Sequence, residues 1–310
     1  MKLIKTEDAV GHVLCHDMTQ IIKDQYKDAR FRKGHVVTEE DIPVLLSMGK
    51  EHLYVWEMTP GMVHENDAAE RLLALCGQEN MIRSGVKEGK IELKAACDGV
   101  FLVDSARLVA VNSQDEVMIA TRKSGMAVRE GDKLAGMRVI PLIIEEEKLR
   151  KAEQAAGDKP LLSLKPYVRK TACIVATGGE VKKGLIKDTF TPVVIDKLRT
   201  YGIETLEVVY SGDGVENVRD AVLTMREKKP DMILCTGGMS VDPDDNTPGG
   251  IKAAGADIIA YGAPVLPGAM FLLGYFDDGM PVMGLPGCVM YAGATVFDLV
   301  LPKIAADVPV

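Results

Sequence analysis

No two cysteines stand in a CxxC pair, and the six present, Cys15, Cys76, Cys97, Cys173, Cys235 and Cys288, are scattered along the chain. That spacing argues against a zinc site or a disulfide frame and fits buried, reduced thiols. Histidine is also scarce, with five residues at 12, 16, 35, 52 and 64 and none in the C-terminal half. Chemistry in that half must use carboxylates, hydroxyls, lysines and backbone groups. His12 and His16 stand four apart beside Asp17, but VGHVLCHDM is β-branched and opens with glycine, so the helix that would aim both imidazoles at one metal is not expected. Basic clusters are missing and the net charge is -8, so nucleic acid is not an expected partner. Long apolar runs are missing too: even Val289 to Ile304 is interrupted by Asp298 and Pro302. The N-terminal MKLIKTEDAVGHVL has acids where a signal peptide has its apolar core. A cytoplasmic protein without membrane contact is expected.

What is present is the composition of an ordinary globular protein, 47% hydrophobic and 26% charged, in 310 residues that suffice for two domains. Residues 1–145 alternate short strand-like runs with modest helices, an α+β, β-rich region with room for two small subdomains. Thr38, followed by Glu39, Glu40 and Asp41, predicts an N-cap for a helix bearing Ile42, Val44, Leu45, Leu46 and Met48. Asn66 or Asp67 is expected to open a second helix, and Ser105 to Val111 a third, capped by Asp104 or Ser105. Ala127 to Ile140 reads as tight turns of a small β-barrel or sandwich. Glu145 to Ala156 predicts a charged helix, acids first and bases after, followed by GDKP. Residues 146–170 therefore read as linker helix and connector, ahead of a C-terminal domain at 171–310.

From Thr171 onward, strand-like runs alternate with helical ones and a final helix is expected from Cys288 to Ala305. This predicts an α/β fold, a doubly wound, mostly parallel sheet, whose ligands bind beyond the carboxyl ends of the strands. The loops at those ends are rich in glycine and acid: TGGEVKKGLIKD from Thr177, SGDG from Ser211, TGGMSVDPDDNTP from Thr236 and GLPG from Gly284. Glycine there permits positive φ and clears side chains from the backbone N–H groups. Neither GxxxxGK[ST] nor a GxGxxG at the first helix is present, which argues against a P-loop or a dinucleotide fold. Phosphate could still be held by clustered N–H groups, and acids beside it would call for Mg²⁺ between them. Asp242 and Asp244 read as solvated loop charge, whereas Asp213 and Asp245 are assigned to catalysis and metal binding.

These loops resemble the molybdopterin-binding (MoaB/Mog-type) domain shared by molybdopterin adenylyltransferases and molybdopterin molybdenumtransferases, from about Thr171 to Ala306. Thr236-Gly237-Gly238, Asp245 and Thr247-Pro248 match the adenylyltransferase spacing TGG-x6-D-x-TP, and Asp213 takes the family's other acidic position. Gly184 and Asp188 match its first, substrate-contacting loop. Gly284-Leu285-Pro286-Gly287 resembles the GLPG of the molybdenumtransferases, Thr177-Gly178-Gly179-Glu180-Val181 their TGDEL, and Gly238-Met239-Ser240-Val241 their GGVSV. Val10 to Leu14 and Arg32-Lys33-Gly34 to Gly49 resemble the N-terminal part of the molybdenumtransferases more loosely. Their MDGYA-type motif is absent from residues 1–160, GLPGNP continues here as Cys288-Val289, and PGKP reads Pro267-Gly268-Ala269-Met270, without the lysine that would touch phosphate or molybdate.

The resemblance implies a transferase of molybdenum cofactor biosynthesis, performing adenylyl transfer or molybdate insertion with Mg²⁺ on Asp213 and Asp245. Molybdopterin or its adenylylated form would lie against Thr177, Gly178, Gly179, Gly184, Asp188, Thr236, Gly237, Gly238, Ser240, Thr247, Pro286 and Gly287, with ATP or molybdate as the second reactant. Two other readings stay open: an inactive molybdopterin-binding carrier or sensor, and a nucleotide pyrophosphate hydrolase of the same fold, as in the competence-damage-related proteins. A homo-oligomer is expected, because apolar helices of this fold often pack between subunits.

Overall fold

The structure, a computed structural model, describes residues 2–22, 26–55, 60–240 and 246–310, apart from the side chains of Ile22, Tyr26 and Glu180. The chain divides into two units, Met1–Ala96 with Phe101–Met126 and Glu130–Leu164, and Cys97–Val100 with Ala127–Arg129 and Lys165–Val310.

In the first unit, strands bury every second residue. Ile91, Leu93 and Ala95, Val117 and Ile119, and Met137 and Val139 all face inward. Their strands form an antiparallel sheet in the order Met81–Arg83, Ile91–Ala95, Lys133–Val139, Val117–Thr121. The stretch Ala127 to Ile140 contributes to two sheets, Lys133–Val139 to this one and Met126–Val128 to a three-stranded one with Gly99–Val103 and Leu162–Pro166. The helix Glu65–Leu75 covers the four-stranded sheet, burying Ala68, Ala69, Leu72 and Leu73, which is how an antiparallel sheet with one apolar face is completed.

Two helix starts differ from expectation. Helix Glu65–Leu75 is capped neither by Asn66 nor by Asp67 but by His64, whose Nδ1 accepts the Asn66 N–H at 3.2 Å. At the earlier helix, Asp41–Ser47, Thr38 is not the cap. Its N–H and hydroxyl donate to Asp41 Oδ2 at 2.9 and 2.8 Å, so the acid captures the threonine. The helix Ser105–Asn112 starts as expected, with Asp104 accepting the Arg107 N–H at 3.1 Å. Helix Glu146–Ala156 lies within this unit, with Leu149, Ala152 and Ala156 buried and Arg71 paired to Glu153 at 2.7 Å.

The second unit is built from β1 (Thr171–Thr177), α1 (Phe190–Thr200), β2 (Glu204–Ser211), α2 (Val215–Glu227), β3 (Met232–Thr236), α3 (Thr247–Ala253), β4 (Asp257–Tyr261), β5 (Leu272–Tyr275), β6 (Pro281–Leu285) and α4 (Val296–Ala305). They form one six-stranded sheet in the order β2-β1-β3-β6-β5-β4. The first four run parallel, and β5 runs antiparallel between β6 and β4. On one face Cys173, Val175, Ile233, Cys235 and Val282 pack with Val218, Val222 and Met225 of α2 and Ile251 of α3. The intervening Ala172, Ile174, Met232, Leu234 and Met283 are equally buried, so both faces are covered, as near-continuous apolar parallel strands require. The single final helix expected from Cys288 is broken. Gly287–Met290 makes one 3₁₀ turn, and α4 starts only after Thr295, which forms a capping box with Asp298.

Candidate functional site

The order β2-β1-β3 places the reversal of the sheet between β1 and β3, the crevice where open α/β sheets bind ligands. Register brings the strand ends level. Thr177 lies opposite Ser211, Thr236 opposite Ala176, and Leu285 opposite Thr236. The loops leaving these ends therefore share one rim.

The first cluster on the rim is made by Thr177, Thr236, Gly237, Gly238 and Thr247. Thr177 Oγ1 donates to the Thr236 carbonyl at 2.9 Å, Thr247 Oγ1 to the Gly237 carbonyl at 2.8 Å, and the two hydroxyl oxygens are 3.2 Å apart. Gly237 has φ +82°, and a Cβ there would lie 2.5 Å from the Thr177 carbonyl oxygen. At Gly238, φ is +57° and a Cβ would meet Thr247 Oγ1 at 2.6 Å. Both glycines are thus required by close backbone approach as well as by positive φ. Thr236 and Thr247 are buried, 2% and 1% exposed, so their side chains hold the turn rather than face solvent.

The second cluster joins the β1 and β2 loops. The Gly178 N–H donates to the Ser211 carbonyl at 3.2 Å, and the Gly179 N–H to Asp213 Oδ2 at 3.0 Å. Asp213 is exposed, and its loop is tied from behind by Asn217 Nδ2 on the Asp213 carbonyl at 2.6 Å. The helical turn Gly179–Lys182 ends beside the same loop: a Cβ on Gly212 would lie 3.8 Å from Lys182 Cδ and 3.9 Å from its Nζ.

Asp188 sits apart from both clusters as the cap of α1. One oxygen accepts the Phe190 and Thr191 N–H groups at 2.9 and 3.0 Å, and the other accepts the Tyr210 hydroxyl at 3.2 Å. Burial alone would raise this carboxyl. The hydrogen bonds from Thr191, Phe190 and Tyr210 outweigh it and hold the group below its ordinary value, so it is ionised and committed. Gly184, at φ +70°, faces open space, flanked by the exposed Leu185 and Ile186. Pro286 is buried and Gly287 exposed where β6 ends, and Ser240 is exposed beyond Gly238. Asp242, Asp244 and Asp245 lie outside the described residues, as therefore does half of the expected metal pair. Among the described residues, no group of three or more His, Cys, Asp or Glu side chains is placed to hold a metal ion.

Sequence reasoning missed Tyr210 and Lys182. Tyr210 could have been found from the two-residue alternation of β2, which carries its side chain to one face next to the strand end. Lys182 gave no signal, being one of two adjacent lysines in a loop.

Residues 173–306 match a family described as "Probable molybdopterin binding domain", and residues 3–57 match a domain of unknown function. A CinA-like protein of Mycobacterium tuberculosis is 33% identical over 76 residues, 24% of this chain, and the match spans 18% of that relative's length. Among solved structures, the molybdopterin biosynthesis enzyme MoaB of Thermus thermophilus is 17% identical, with 45% of this chain and 98% of that chain covered and a TM-score of 0.38. The protein CinA of Thermoplasma acidophilum, described as of unknown function, is 18% identical, with 44% and 98% covered and a TM-score of 0.39.

Proposed function

We propose that the chain binds molybdopterin or its adenylylated form at the rim of β1, β2, β3 and β6, within the residues 173–306 that match the probable molybdopterin binding domain. In this reading it is a transferase of molybdenum cofactor biosynthesis, acting in adenylyl transfer or molybdate insertion. The observation that carries it is the Thr177–Gly237–Thr247 cluster, a turn stripped of side chains at the sheet's switch point, within the matched segment.

Mg²⁺ takes one or two carboxylates, several waters and the phosphate oxygens of its substrate. Asp213 suits that set: it is exposed on the rim and held in place by Gly179, with Asp245 as its expected companion. Bound there, the ion would neutralise charge on a phosphate or molybdate oxyanion. The chain's own contribution is to fix the turn through two threonine hydroxyls, packed against Gly237 and Gly238.

The test is calorimetry of the purified protein with molybdopterin and with adenylylated molybdopterin, with and without Mg²⁺, on wild type, Gly237→Asp and Asp213→Asn. Wild type should bind, and Gly237→Asp should not. Asp213→Asn keeps an acceptor for the Gly179 N–H but loses the charge, so it should lose only the Mg²⁺-dependent gain. Pyrophosphate released from ATP marks adenylyl transfer, and molybdate-dependent AMP release marks insertion. Binding without either supports the carrier reading. Cleavage of ADP-ribose with no affinity for the pterin would replace this proposal with the hydrolase.

A further inference from the structure

The turn Gly179–Lys182 meets the β2 loop at both of its ends, with the Gly179 N–H on Asp213 Oδ2 at 3.0 Å and the Lys182 chain across Gly212. The Asp213 carboxylate of the β2 loop and the Lys182 ammonium of the turn after β1 thereby share the carboxyl end of the sheet, the lysine lying against Gly212, the neighbour of Asp213. They form no ion pair with each other, and among the described residues the Lys182 side chain has neither a hydrogen-bond nor an ion-pair partner. The lysine stem lies in van der Waals reach of position 212, where a Cβ would be 3.8 Å from Lys182 Cδ and 3.9 Å from Nζ.

An exposed carboxylate held only by a backbone N–H, beside an unpaired base, suits one ligand chemistry better than others. A phosphate with a divalent cation presents a positive charge to the carboxylate and negative oxygens to the ammonium, and a lysine on a flexible stem can follow those oxygens as a point charge. A neutral ligand would use neither group. A bare cation would be repelled by the lysine, and a bare anion by the aspartate.

We infer that Lys182 is the residue that neutralises the phosphate of the ligand bound at this rim. The inference rests on the proposed rim site, but it needs only a phosphate there and not a pterin. It therefore holds equally for a phosphate monoester and for a pyrophosphate.

The experiment measures Kd for molybdopterin, for its dephosphorylated form, and for inorganic pyrophosphate with Mg²⁺. The proteins are wild type, Lys182→Ala, Lys182→Arg and Lys183→Ala. Loss of one charge-assisted contact should weaken the two phosphate-bearing ligands about tenfold to a hundredfold in Lys182→Ala. The dephosphorylated form should be unaffected, Lys182→Arg should recover most of the loss, and the salt dependence of pyrophosphate binding should become shallower. A loss in Lys182→Ala no greater than that in Lys183→Ala, or one equal for phosphorylated and dephosphorylated forms, overturns the assignment, as does a wild type that takes up no pyrophosphate. Pyrophosphate binding that depends on Lys182 while molybdopterin fails to bind would sustain the lysine's role and remove the pterin reading.

Discussion

At position 64 a single imidazole serves three segments of the first unit. Its Nε2 donates to the Cys15 carbonyl, its Nδ1 accepts the Asn66 N–H at 3.2 Å, and Lys33 Nζ lies 3.0 Å from the same nitrogen. This requires neutral histidine with its proton on Nε2. Burial lowers its pKa from the ordinary 6.5, as does the Lys33 ammonium, against the opposing pulls of the Cys15 carbonyl and Asp67. His16 is lowered in the same direction by burial and Lys50. The unfolded chain therefore binds protons near pH 6.5 that the folded chain refuses until lower pH. Stability is full above that value and is lost as pH falls through it towards the folded pKa, by about 1.4 kcal/mol for each unit of lowering. Glu65 acts oppositely, since burial raises its carboxyl above 4.5 and its ionisation costs the folded state as pH rises. A glutamine can imitate neutral histidine, its oxygen accepting and its amide donating. His64→Gln should accordingly flatten the fall in urea midpoint between pH 7.5 and 5.5 while changing the midpoint at 7.5 little. An unchanged slope would show that His64 does not titrate on unfolding. The cap itself was not legible in the sequence, because histidine imitates an Asn or Asp cap only when neutral, and its neutrality is set first by burial and then by Lys33, distant in sequence.

Between elements, the closest approach that bears on the site is that of α2 and α3. A Cβ on Gly250 would lie 2.4 Å from Val218 Cβ and 3.2 Å from the Arg219 nitrogen, so α3 sits against α2 at a distance only glycine allows. The first residue of α3 is Thr247, whose hydroxyl fixes the Gly237 carbonyl, and the helix packing is thus connected to the rim. Two effects oppose each other in Gly250→Ala. Helix propensity favours alanine by about 1 kcal/mol, while overpacking costs about 1–3 kcal/mol. Because one of the colliding atoms is backbone, overpacking should win, lowering the urea midpoint and weakening ligand binding together. Val218→Gly removes both colliding side-chain atoms, Cβ and Cγ1, so the double variant should be more stable than the two single losses predict when added. Strict additivity in that cycle would rule out the contact as the cause. At this scale much of the fold was legible: the alternation of β-branched runs with helices spaced near 3.6 announced the parallel strands, and the glycines announced their loops. The capping box Thr295-x-x-Asp298 was also present in the sequence, but the apolar residues on both sides of it read as one helix. The antiparallel course of β5 was not legible, because β-rich residues do not encode strand direction and Gly262 to Gly268 can return the chain either way.

Across the whole molecule, the four buried thiols are evenly divided and can report on each unit separately. Cys15 and Cys76 belong to the first unit and Cys173 and Cys235 to the second, while Cys97 and Cys288 are half-buried. Burial pushes the Cys76 and Cys235 thiols up to about 12 and raises Cys15 and Cys173, so in the folded state these four present almost no thiolate, the form that reacts. At pH 8 a thiol reagent should modify Cys97 and Cys288 at once and the remaining four only after unfolding. Each unit has its own core, Leu14, Phe31, Leu45 and Leu53 in one and Val175, Val222, Ile233 and Leu272 in the other. A core of that kind unfolds cooperatively, and loss of contacts anywhere in it exposes all of it. In a series of urea concentrations, Cys15 and Cys76 should therefore become reactive together, as should Cys173 and Cys235, whether or not the two pairs coincide. A ligand of the rim should shift the second pair to higher urea, by an amount set by its concentration relative to Kd. Splitting within a pair, with Cys15 following Cys173 rather than Cys76, would mean that cooperativity does not follow the two units. In that case a ligand at the rim would protect residues of both.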